Sequence, residues 1–299
     1  MLALPGPADA ALIYATSVNS TDVFTVNTVT HAVTPVFNAG VDMDSLFFDP
    51  SGRIVYSALN NGLVGAFNPV TLSNSNLATG LNAPIDMALE PSLTSFLVSD
   101  SSSHLVRISL SGSGVITSLN VGSRPDGIIY DNTGRLFVNV GCGFTCNGSV
   151  VEQINPITGA VIQTTGDLGV FLDGLTFDPS TGKLFASDYN NGRIVELDPG
   201  NLAAGGTFLT PTGAALNQND GVVSDGLGNL YIASRGNSEV VQYDIATNAA
   251  IDLASINGID DLAPVSGLGS TPGNVPEPSD LPLLAMGLAA IAWLRRKFV

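Results

Sequence analysis

Cysteine, histidine, tryptophan and basic residues are all scarce in this chain of 299 residues, and each shortage closes a route to function. The two cysteines, Cys142 and Cys146, cannot form a four-ligand zinc site without two further ligands, and no histidine lies near them in sequence. Their C-x3-C spacing is not the C-x2-C of a thiol redox motif. The two histidines, His31 and His104, fall at predicted strand starts in different repeats, so there is no metal-type histidine pair. There is also no G-x-S-x-G and no phosphate loop. Aromatic residues make up only 7%, and the sole tryptophan, Trp293, lies in the C-terminal tail. A carbohydrate site built on aromatic platforms could draw on Tyr130, Tyr189 and Tyr231, but packing inside the fold explains these equally well. Lysine and arginine total 10 against 26 acidic residues, for a net charge of −16. Such a surface repels nucleic acid and anionic lipid, which argues against either as a partner. It attracts divalent cations or basic partners, and it also keeps an exported protein soluble. No long 3.6-residue periodicity appears before the C-terminus, so helix should be scarce.

Glycine (33) and proline (17) are plentiful, and they punctuate a repeat. Its clearest copy runs from Leu172 to Pro199, LDGLTFDPSTGKLFASDYNNGRIVELDP. Leu175–Phe177 is short and apolar, as a strand should be. Asp178-Pro179-Ser180-Thr181-Gly182 is turn chemistry: Asp accepts local N–H bonds, Pro presets φ and Gly supplies positive φ. Lys183–Ser187 reads as a second strand, Asn191-Gly192 as a hairpin turn, and Arg193–Leu197 as a third, alternating strand. A fourth strand is expected near Thr207–Thr210. Looser copies begin at Asp44, Asp86, Asp126 and Asp220, so the steps along the chain are 42, 40, 47 and 47 residues. One more step of 40 reaches Asp260, where only one strand remains. The missing three are at the other end, at Leu12–Thr16, Asp22–Asn27 and Ala32–Phe37. The expected fold is all-β: a six-bladed β-propeller closed by strands from both termini, followed by a linker and a short C-terminal hydrophobic helix.

Each predicted blade opens on an aspartate: Asp44, Asp86, Asp126, Asp173, Asp220 and Asp260. Equivalent positions on the first strands form a ring at the central channel. At ~8 Å apart, ionised neighbours would cost about 2 kcal/mol per pair at an effective dielectric near 20. Something must compensate. One reading has each Asp capping its strand or tying to the next blade through backbone N–H groups. The other makes the six a site for Ca2+ or another divalent cation. A second acidic series (Asp49, Glu90, Asp131, Asp178 and Asp225) sits in D-x-x-G-like corners and reads as turn chemistry, with Glu90 departing from the pattern. Cys142 and Cys146 lie in a corner of the third blade. A local disulfide there would be worth roughly 2 kcal/mol; free thiols are the alternative, and export favours the disulfide.

The repeat is similar to NHL-type repeats and to the gluconolactonase/SMP-30 lactonases over most of residues 12–265. In those lactonases the Asp of a P-D-G strand start is a metal ligand and base. Asp126, in Arg124-Pro125-Asp126-Gly127, and Asp173, in Leu172-Asp173-Gly174, match that position. The chain lacks the partners. No E-G-P supplies a glutamate ligand, since Glu90, Glu152, Glu196, Glu239 and Glu277 all lie away from the blade openings, and no P-N-G supplies an asparagine. The first expectation is therefore a non-catalytic binding module, and the alternative is a metal-dependent lactonase-like hydrolase or lyase using the Asp ring.

The tail carries an address. Residues 266–280 form a Gly/Ser/Pro-rich linker that includes Val275, Pro276, Glu277 and Pro278. Leu281–Leu294 is apolar throughout, and Arg295, Arg296 and Lys297 follow. At 14 residues this stretch is short of the ~20 that span a bilayer comfortably. The three parts resemble the PEP-CTERM sorting signal. The resemblance implies an exported protein of a Gram-negative, exopolysaccharide-producing bacterium. It would be held transiently in the inner membrane by residues 281–299, recognised at Pro-Glu-Pro by an exosortase, and then placed at the cell surface or in the extracellular matrix. Exopolysaccharide or cell-surface components are the implied partners. Ala8-Asp9-Ala10 resembles a signal-peptide cleavage site, so residues 1–10 are expected to be the remnant of a signal peptide and 11–265 the propeller.

Overall fold

A computed structural model describes residues 12–141 and 148–264. Residues 1–10, Cys142, Cys146 and everything after Pro264, including the linker and the sorting motif, lie outside the described residues. Within them the chain forms six sheets arranged around an axis. Blade one covers residues 46–79, blade two 84–120, blade three 124–164, blade four 172–209 and blade five 219–255. Blade six takes its inner strand, Ile259–Pro264, from the C-terminal end and its other three, Leu12–Ser17, Asp22–Asn27 and Val33–Asn38, from the N-terminal end. The inner strands pack in sequence, and that of blade six closes against that of blade one. Blade five differs from the repeat in one respect. Thr212–Gly213 adds a short parallel strand to its outer edge, pairing with Ala249 and Ala250.

The corners form as their residues dictate. The Asp49 carboxylate accepts the amides of Ser51 and Arg53, both at 2.9 Å, while Gly52 turns the chain at φ 82°. Asp131 does the same with Thr133 and Arg135. The arginines then reach onward: Arg53 donates to the carbonyl of Leu110 in blade two at 2.7 Å, and Arg135 to that of Pro199 in blade four at 2.9 Å. In blade two, Glu90 pairs with Arg107 at 2.8 Å, and Arg107 donates to the Pro156 carbonyl in blade three. The corner carboxylates therefore also fasten blades together. His104 begins its strand, but His31 is a turn residue at φ 61° preceding Val33, not a strand start. Tyr130, Tyr189 and Tyr231 are all buried, so none offers an exposed platform.

Apolar faces of neighbouring blades interlock. Phe47, Val55 and Val64 of blade one pack with Met87, Phe96 and Val98 of blade two, and Ile129 and Phe137 of blade three share a cluster with Leu175 and Phe177 of blade four. Closer to the axis the fastening is polar. The inner strands of blades two to five each carry a bulge, which sets two residues opposite one on the second strand. In blade four Asp173 and Gly174 face Ser187. The Ser187 hydroxyl accepts the Gly174 amide at 2.8 Å and donates to the Asp220 carbonyl of blade five at 2.6 Å. Ser57 links the Ser45 amide to the Ile85 carbonyl in the same way, and Thr16 links Asp261 to Asp44 across the closure. Asn139 donates its side-chain amide to the Asp173 carbonyl. These side chains are buried. Ser187→Ala would leave a part-buried amide and a part-buried carbonyl without this partner, a loss of about 1 kcal/mol, to be read as a fall in urea midpoint at unchanged slope.

Candidate functional site

The bulges present two tiers of side chains to the channel. The strand registers place Asp44, Asp126, Asp173, Asp220 and Asp260 at equivalent positions, with Ile85 as the sixth member. The tier below holds Ser45, Asp86, Gly127, Gly174, Gly221 and Asp261. The expected six-Asp ring is thus corrected at one position. Asp86 is displaced by one residue, and a one-residue shift in a strand changes the direction of the side chain. The chain signals the shift: from Asp86 to the corner acid Glu90 is four residues, whereas Asp44 to Asp49, Asp126 to Asp131 and Asp173 to Asp178 are each five.

In the lower tier Asp86 is fully engaged. One carboxylate oxygen accepts the Met87 amide at 2.7 Å and the Ser45 hydroxyl at 2.9 Å; the other accepts the Ile128 amide of blade three at 2.9 Å. Desolvation still raises its pKa to about 6, against the pull of those donors. Asp261, which sequence reasoning passed over, joins this tier. Its side chain lies over Gly221, and desolvation, with Asp86 nearby, raises its pKa well above the ordinary range.

The upper tier opens into a cavity of about 290 Å³ at the channel mouth, lined among others by Asp44, Asp173, Asp220, Asp260, Arg124 and Arg235. Arg235 sits on a short turn after the second strand of blade five, where it bridges Asp220 at 2.8 Å and Asp260 at 3.1 Å. Arg124 opens the inner strand of blade three and lies 2.9 Å from Asp126. Desolvation pushes Asp126 up to about 7 despite Arg124, and Asp220 adds to the rise. Asp44, Asp173 and Asp260 are raised well above the ordinary value, first by desolvation and then by Asp220. Asp220 is raised by desolvation as well, with Arg235 opposing. The repulsion expected of an Asp ring is therefore opposed by two arginines and by raised pKa values that favour the neutral carboxyl, and in the lower tier by backbone donors. Both arginines were missed in the sequence because they interrupt the repeat rather than belong to it.

Among the described residues no group of three or more His, Cys, Asp or Glu side chains is arranged to hold a metal ion. Asp126 and Asp173, the positions resembling the lactonase base, do stand in the upper tier. No glutamate lines the mouth cavity, and Asn60 is the asparagine that does.

Comparison with known proteins separates tail from ring. Residues 274–297 match the PEP-CTERM protein-sorting motif. The motif implies processing by exosortase, export, and membrane anchoring before processing. For the ring, a chain in the crystal structure of a nidogen/laminin complex superposes with a TM-score of 0.73 at 16% identity, covering 88% of this chain and 100% of that one. A protein of unknown function from Bacteroides caccae gives 0.65 at 14%, covering 86% and 99%. Hydrazine synthase from Kuenenia stuttgartiensis gives 0.56 at 14%, covering 82% and 80%. At these identities the likeness is one of fold. No curated protein matches the chain.

Proposed function

We propose that the chain is an exported propeller that an exosortase system delivers to the cell surface or extracellular matrix, where it acts by binding and not by catalysis. The observation that carries the reading is that four of the channel acids are tied to the protein's own groups, while the matching position of blade two is Ile85. Asp220 and Asp260 hold Arg235, Asp126 holds Arg124, and Asp86 holds three blades together. A general base or metal ligand needs a carboxylate that is free to change partners during a reaction. The mouth cavity is concave and lined mainly by charged and polar side chains, with Val18, Met43, Leu59 and Ile85 among them, which suits recognition of a charged group. In this reading residues 11–265 are the working module, 266–280 a spacer carrying the Val275–Pro278 motif, and 281–299 an anchor with Arg295, Arg296 and Lys297 as its cytoplasmic stop. Surface polymers or proteins are the partners.

The test is fractionation of cells co-expressing the full chain and an exosortase. The native chain is expected at the surface in a shortened form. A chain with Pro276, Glu277 and Pro278 all changed to Ala is expected at full length in the membrane fraction. Identical distributions would refute the sorting half of the proposal, and steady lactone hydrolysis by the full chain would refute the other half.

A further inference from the structure

The mouth cavity has a donor deficit. Asp260 is 2% exposed, and its Oδ2 meets no hydrogen-bond donor, although the residue lines the cavity. Its carboxyl neighbours Asp44 and Asp220 bring acceptors, not donors, unless a proton is shared. Among the described residues neither Asp44 nor Asp173 forms a salt bridge, because Arg124 and Arg235 are taken by the other three acids. Val18, Met43, Leu59 and Ile85 add apolar atoms to the lining. Exposed Asp42 stands at the rim. This combination fits a group with several N–H donors and one positive charge on an aliphatic stem. A bare divalent ion fits less well, since it wants three or more converging oxygens and finds no such group here.

We propose that the channel mouth receives the side chain of a lysine from a partner protein. The ammonium sits against Asp260 and Asp44, which adjoin one another, with Asp173 contributing its charge from elsewhere in the lining, and its methylenes lie on Val18, Leu59 and Ile85. Lysine is a compact charge with three rotatable donors, which suits acids arriving from different blades better than the flat fork of arginine does. A cavity of about 290 Å³ is large enough for such a side chain. The net charge of −16 steers a basic partner towards this surface. The inference rests on the non-catalytic reading and names the chemistry of its ligand.

Proton release gives the site a signature. The charged and titratable groups facing the ammonium are Asp44 and Asp42 before blade one, Arg124 and Asp126 of blade three, Asp173 and Tyr189 of blade four, Asp220 and Arg235 of blade five, and Asp260 of blade six. Desolvation raises the pKa of Asp44, Asp173 and Asp260, and a carboxyl must be ionised to take a cation, so affinity rises with pH.

Calorimetric titration of the full-length chain with Nα-acetyl-lysine-N-methylamide tests the proposal. Saturable binding is expected, strengthening about tenfold or more as pH rises through the raised carboxyl pKa values, with protons released into the buffer. The Nε-acetylated analogue, which lacks the charge, should not bind. Asp260→Asn should weaken binding by about tenfold or more, and Asp173→Asn serves as a second variant if the first fails to fold. Absence of saturable binding to the native chain, or equal binding of the acetylated analogue, overturns the proposal. So does tighter binding of glucosamine, which would place an amino sugar in the mouth, or Ca2+ binding that excludes the lysine probe. Lactone turnover by the same preparation would overturn the non-catalytic reading and leave a positive lysine result standing.

Discussion

Replacing Arg235 with Met is expected to destabilise the folded chain by about 3–5 kcal/mol at neutral pH, and by progressively less as pH falls. The guanidinium is the cation bridging Asp220 and Asp260, and the Asp260 side chain is nearly inaccessible to water. Methionine preserves much of the stem's volume but leaves the buried Asp260 carboxyl and the half-buried Asp220 carboxyl without their partner. Each must then stay ionised at high cost or take up a proton. The sign follows from the second option. Removing the cation raises carboxyl pKa values that desolvation has already raised, so the variant's penalty is small where the acids are protonated and grows as pH rises. Urea melts of native and variant chains at two pH values give the result directly. A pH-independent loss would mean that Arg235 contributes by packing alone.

Replacing Gly127 with Val should destabilise by about 3 kcal/mol or more and widen the channel between blades three and four. A Cβ at Gly127 would stand 2.5 Å from the Asp173 carbonyl oxygen and 2.6 Å from the Leu175 amide nitrogen. Both contacts are backbone atoms of the neighbouring inner strand and cannot rotate aside. The same holds at Gly174, where a Cβ would meet Asp220 and Val222 at 2.8 Å. The glycine of each D-G pair is thus explained by the approach of the next blade. Thermal melts test the stability loss, and an unchanged midpoint would show that the inner strands can separate freely.

These two cases show what could be read from the chain and what could not. The blades were legible because their corners are local. Asp49, Asp131 and Asp178 bind amides only two to four residues away, so each corner is written in a few adjacent letters. Closure by Leu12–Ser17 against Ile259–Pro264 was legible because a four-strand unit with one strand left over needs three from elsewhere. Contacts around the ring were harder. Ser57 and Ser187 look like ordinary polar residues in apolar strands until the copies are aligned, when Thr16, Ser57, Ser99, Asn139 and Ser187 fall at one position. The repeat puts Asp86 in the ring with the other blade-opening aspartates because its copy begins with the same letter; the shorter interval to Glu90 holds the correction. Arg235 and Arg124 occur once each, and no periodic reading of the sequence assigns them to the mouth. The geometry also shows how an Asp at every blade opening except that of blade two can be tolerated, which composition and spacing left open between backbone ties and a cation.

The central claim is that the channel acids keep protons at pH values where ordinary aspartates have lost them. Carbon-13 NMR of the Asp carboxyl resonances measures this site by site, with assignments from single Asp→Asn variants. The account predicts that Asp86 titrates near about 6 and Asp126 near about 7, that Asp44, Asp173 and Asp260 titrate well above the ordinary carboxylate range, and that these shifts persist with a chelator present. Midpoints for all of them in the ordinary range, about 4, would contradict it.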